Sequence, residues 1–260
     1  MPSDPAGGKK MAAAPVPPPA IPTPTPAPDR LSQGARILDT FIAPSKTFTD
    51  LRRTAQWWLP FLLTAIVGMA LVYIAEQKIG LQRMTENGLQ ARPKAEAQYE
   101  KLTPEQRQTQ IKVTGIIYYI AVPVFPVIIW LIMAGLQFGT LKFAANADIS
   151  YGKTLAVVVY AALPLALRSV LAIVSVLAGV NPDGFTLNNP VATNPAYFMA
   201  PADHPFWYFI ASQFDVFLLW TLALTAIGFA TTGKVKMGTS FAIVIGWWVV
   251  ITLIFAAIFS

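Results

Sequence analysis

Five stretches of the chain are apolar for long enough to cross a bilayer, and nothing else in the sequence restricts the fold as much. They cover about 57–75, 113–138, 154–180, 206–230 and 239–259. About 20 apolar residues carry a helix across the hydrocarbon. The expected fold is therefore all-α: a polytopic membrane helical bundle of five transmembrane helices. Composition agrees, because 55% of the 260 residues are hydrophobic and only 12% are charged, against about one-quarter charged in a soluble domain.

What lies between the runs sets the organisation. Residues 1–29 hold ten of the 22 prolines. A segment so rich in proline cannot bury a core, so 1–30 is expected to be a disordered Pro/Ala-rich tail and 31–260 the membrane domain. Lys9 and Lys10 imitate the start of a signal peptide, but the prolines that follow break any apolar helical segment, and no cleaved signal is expected. In 31–42, Leu31, Ala35, Leu38 and Ile42 share one helical face. That stripe suits a short helix on the membrane surface or one packed on the rest of the protein. Pro44 should end it, and Thr47 with Asp50 resembles a capping box that starts a helix at Phe48. "TPEQ" at 103–106 is a stronger start signal, with Thr at N-cap, Pro at N1 and Gln at N3. Pro123 and Pro126 interrupt the second run, and Pro164 and Arg168 the third.

Lysine and arginine orient the spans. Lys9, Lys10, Arg30, Arg36, Lys46, Arg52 and Arg53 precede the first run, Lys142 and Lys153 lie between the second and third, and Lys234 and Lys236 between the fourth and fifth. The stretch 181–205 has no Lys or Arg. The N-terminus is therefore expected in the cytoplasm and the C-terminus outside. The segment 76–112, which mixes both charge signs, is the dissenting loop. Arg52 and Arg53 should meet anionic headgroups, and Trp57 and Trp58 should anchor the interface. The net charge of +6 reads as lipid-facing rather than nucleic-acid-binding.

Few residues offer chemistry. The chain has no cysteine and one histidine, His204, so thiolate catalysis, disulfides and histidine metal clusters are ruled out. "GFATTGKV" at 228–235 imitates a P-loop, but Val235 stands where Ser or Thr is needed and a membrane helix precedes it. Asp148 lies in a loop too poor in oxygen ligands for a metal site. No catalytic, cofactor or metal residues are assigned, and no enzymatic activity is expected. Gly135 and Gly139 form a GxxxG suited to close helix packing. Arg168 and Asp215 are charges inside apolar runs, each costing about 2.5–3.5 kcal/mol on insertion scales. Counted from the span ends, their depths differ by about one turn or less, so they are expected to meet as an intramembrane polar pair.

Three segments in order carry a family resemblance: "FIAPSKTFTDLRR" with "WWLPFLL" at 41–63, "YGKTLAVVVYAALPLAL" at 151–167, and "FDVFLLWTLALTAIGFATTGK" at 214–234. Together they resemble the bacterial branch of the Yip1 family. The resemblance implies a five-span membrane domain with a cytoplasmic N-terminus, in the bacterial inner membrane. Eukaryotic relatives act in vesicle traffic between the ER and Golgi and interact with prenylated Rab GTPases. The implied function is a non-enzymatic membrane-organising or partner-binding scaffold. Its expected partners are the lipid bilayer and, within it, other membrane proteins or a second copy. The rival is a small transporter or permeation protein using Arg168 and Asp215. A water-lined path through spans two to four would favour the rival, and a sealed bundle the scaffold.

Overall fold

The computed structural model describes residues 30–90 and 92–259; of the expected Pro-rich tail, 1–30, residues 1–29 lie outside them. The described chain is all-helical. In order it contains α1 (Gln33–Ile42), α2 (Pro44–Asp50), α3 (Trp58–Lys78), α4 (Leu81–Gln90), α5 (Pro93–Glu100), α6 (Pro104–Ala144), α7 (Tyr151–Ala161), α8 (Leu163–Leu177), α9 (Pro205–Ser212), α10 (Val216–Gly233) and α11 (Met237–Phe259), with two 3-10 turns between α8 and α9. Five helical units are long and apolar enough to cross a membrane: α3, α6, α7 with α8, α10 and α11.

Local chemistry explains the boundaries. Thr103 and Gln106 make the reciprocal capping box, with Thr103 Oγ1 accepting from Gln106 N at 3.3 Å and Gln106 Oε1 from Thr103 N at 2.9 Å. From that start α6 runs unbroken for 41 residues. This is about 60 Å, twice the hydrocarbon thickness of about 30 Å, so α6 projects well beyond the membrane. Pro123 and Pro126 stay within it. Pro164 instead divides the third span into α7 and α8, where it occupies the first turn of α8, a position that needs no N–H.

Two expected boundaries are corrected. The helix expected to begin at Phe48 begins at Pro44 and ends at Asp50. Thr47 does not cap it; its hydroxyl is buried and donates to the Arg36 carbonyl at 2.9 Å. The fourth apolar run is also two helices. α9 stops at Ser212 and α10 starts at Val216, with Asp215 as its N-cap in extended geometry. Hydropathy does not sense this break, because both sides of it are apolar.

The largest apolar core is built around α7, whose residues from Thr154 to Ala161 are all buried. Phe48, Leu51, Leu141, Ile149, Leu224 and Phe229 close around it. Gly228 makes the contact between α10 and α7 close, since a Cβ there would overlap Val157 and crowd the Phe48 ring. A second, smaller cluster joins Leu71 and Ala75 of α3 and Ala172 and Val176 of α8 to Phe185 and Val191 of the loop before α9.

Candidate functional site: a broken span around Asp215

Three residues, Gln213, Phe214 and Asp215, separate α9 from α10. The Phe214 ring lies 5.5 Å from Trp248, edge to face, and Trp248 is the central residue of α11. Phe209 stacks on Phe255 higher on the same helix. The break therefore sits beside the middle of a membrane-spanning helix, and α9 runs along that helix's C-terminal half. Irregular backbone at such depth is tolerated only when protein covers it.

Asp215 resolves the break. Its Oδ1 accepts from Phe217 N at 2.9 Å and Leu218 N at 3.1 Å, satisfying two of the free donors at the start of α10. Its Oδ2 accepts a short hydrogen bond from the Thr193 hydroxyl. Arg168 Nη1 stands 3.6 Å from the same oxygen, an ionic contact rather than a hydrogen bond. The Asp215 side chain is fully buried, whereas that of Arg168 is 26% exposed. The carboxylate is thus balanced by the helix dipole, two N–H groups, a hydroxyl and a guanidinium.

Thr193 was not expected here. It comes from the 181–204 loop, which folds back into the bundle instead of staying outside it. Val216 N donates to Thr193 O at 3.0 Å, so the loop reaches the break itself. Asn194 Nδ2 donates to Asn189 Oδ1 at 2.7 Å, holding two Asn-Pro pairs side by side. Helix α4 clasps the loop's first turn: Asn87 Nδ2 donates to Pro182 O at 2.7 Å and Phe185 O at 2.9 Å, and Arg83 pairs with Asp183 at 3.0 Å. The sequence carried one available signal, an aspartate just ahead of an apolar run. His204 is exposed, at the N-cap of α9.

The other expected site residues fall elsewhere. Arg52, expected at the headgroups, bonds within the protein: its Nε donates to Thr231 O at 2.7 Å, and its Nη2 makes a shorter bond to the same oxygen. A guanidinium there satisfies a carbonyl in the last turn of α10 and complements its dipole. Arg53 is exposed. Trp57 is half-buried, edge-to-face with Phe61 at 6.1 Å, while Trp58 is exposed at the start of α3. Gly135 and Gly139 are not helix-packing residues within the described chain, because a Cβ on either meets no atom within 4 Å. The buried face of α6 is Trp130, Ala134, Gln137 and Leu141, and the glycines lie off it.

Two open depressions on the flank of α6, one lined by Glu105, Thr109 and Val113 and one by Ile117, Val124 and Ile128, do not touch the Asp215 cluster. No curated protein and no solved structure matches the chain. The Yip1 domain model matches residues 38–258, most of the sequence. With five apolar spans, the chain is an integral membrane protein belonging to the Yip1 domain family.

Proposed function

We propose that this protein is a non-enzymatic scaffold of the bacterial inner membrane that organises or holds membrane partners, with its N-terminus in the cytoplasm. One observation supports this over transport: the carboxylate that heads α10 is spent on structure. Asp215 has no exposed surface, and both oxygens are engaged by a helix start, a folded-back loop and an arginine. A permeation path needs polar groups that face water and release their contacts. The capped break instead fixes the relative placement of α8, α10 and the loop.

Purification in mild detergent, with identification of co-purifying proteins and lipids, tests the reading directly. Proteoliposomes supply the counter-test: solute or ion flux abolished by Asp215→Asn would overturn the scaffold and establish the transporter. Orientation is checked on the same cysteine-free chain. Ala202→Cys, exposed in the loop, should react with an impermeant maleimide in cells with permeabilised outer membranes. Labelling only after inner-membrane disruption would reverse the orientation.

A further inference from the structure

Helix α1 buries polar side chains and leaves two large apolar ones exposed. Its polar side chains Arg36, Asp39 and Thr40 are buried. Arg36 Nε donates to Asp50 Oδ2 at 2.6 Å, and the Thr40 and Thr47 hydroxyls both donate to the Arg36 carbonyl. Ile37 and Phe41 pack on the core, but Leu38 is 60% exposed and Ile42 is 70% exposed. With Gly34 they form one i, i+4, i+8 face. Exposing such area to water costs about 25 cal/mol per Å², so something other than water is expected to cover it.

The surroundings identify the cover. Gln33 Nε2 donates to Gln56 Oε1 at 2.7 Å, just ahead of α3, and the Tyr160 hydroxyl donates to Gln33 Oε1 at 2.7 Å. The Phe41 ring meets Trp220 of spanning helix α10 edge-on at 5.6 Å. Helix α1 thus packs on α7 and α10 beside the segment that leads into α3. Charge is sorted as well. Both carboxylates of the segment, Asp39 and Asp50, are buried. Lys46 keeps 60% of its side chain exposed although it pairs with Asp39 at 2.9 Å, and Arg53 is exposed. An outward apolar stripe, on a segment whose exposed charges are cationic and which leads into a membrane span, matches a leaflet of anionic phospholipid.

We propose that the Gly34–Leu38–Ile42 face of α1 lies in the headgroup–acyl boundary of an anionic leaflet, making α1 an in-plane membrane helix held to the bundle by its polar side. The inference goes beyond the scaffold reading and would stand if that reading failed.

Spin labels on single cysteines in the full chain test it, in nanodiscs of phosphatidylcholine with and without phosphatidylglycerol. Ile66→Cys, exposed in mid-α3, provides the lipid reference and Gln82→Cys, exposed on α4, the water reference. Labels at Leu38→Cys and Ile42→Cys should collide with oxygen several-fold more than with a water-soluble nickel chelate, as the Ile66→Cys label does. Phosphatidylglycerol should increase that ratio. Nickel-dominated collisions would place the face in water and overturn the proposal. Low collision with both reagents would mean that a second copy or another protein segment covers it, and would overturn it too. A ratio indifferent to phosphatidylglycerol would overturn the assignment to anionic lipid.

Discussion

Arg36–Asp50 and Arg168–Asp215 are both arginine–aspartate pairs between helices, yet they hold their helices by different means. In the first, the guanidinium donates directly to the carboxylate at 2.6 Å, and both side chains are at least nine-tenths buried. The pair itself fastens α1 to the end of α2. In the second, the nitrogen is 3.6 Å away and the arginine is partly exposed. There the carboxylate does its main work as a helix cap and loop anchor, and Arg168 supplies a counter-charge. The same two residue types can therefore form an ion pair that carries an interface, or accompany a cap that carries it.

Single substitutions should separate the two cases. Asp50→Ala strands a buried arginine, and removing one partner of a buried pair costs about 3–5 kcal/mol. The thermal midpoint in detergent should fall sharply, and cleavage near α1 by added protease should rise. Asp215→Ala should do less, because Arg168 is partly exposed and can turn away; loss of the cap alone costs about 0.5–2 kcal/mol. Asp215→Asn keeps an oxygen for Phe217 N and Leu218 N and should recover much of that loss. If Asn were as damaging as Ala, charge rather than capping would dominate, and the two pairs would be alike.

Double-mutant cycles sharpen the contrast. Coupling between contacting residues spans about 0.5–3 kcal/mol. Arg36→Leu with Asp50→Asn should fall near the top of that range, and Arg168→Leu with Asp215→Asn near the bottom. Reversed values would mean that the longer pair is the stronger one. The smallest effect is expected at Gly135→Ala and Gly139→Ala, within about 0.5 kcal/mol of the parent, since the added methyls meet nothing in the chain. A larger loss, appearing only at high protein concentration, would reveal a contact between copies.

How far the sequence could be read depended on the range of the forces involved. The five spans follow from hydropathy, which sums over about 20 residues and tolerates local error. The start of α6 follows from Thr103 and Gln106, because a capping box is complete within four residues. The α7–α8 division follows from Pro164, whose missing N–H acts locally. The meeting of Arg168 with Asp215 was legible only as a coincidence of depths. That Asp215 caps a broken helix was not, because its partner Thr193 comes from a loop whose sequence has no membrane signal.

Arg52, the glycines and α1 mark the same limit. Arg52 beside an apolar run is written as a headgroup contact, and only the arrival of Thr231, 179 residues later, gives it a protein acceptor. Gly135 and Gly139 have the spacing of a packing motif, but the face of α6 that turns inward there carries Trp130, Ala134, Gln137 and Leu141. The stripe on α1 is plain in the sequence, while its direction is not. Periodicity shows that a helix has two faces. Which one is buried depends on whether the better partner is water, lipid or, as for Arg36, a carboxylate delivered by another helix.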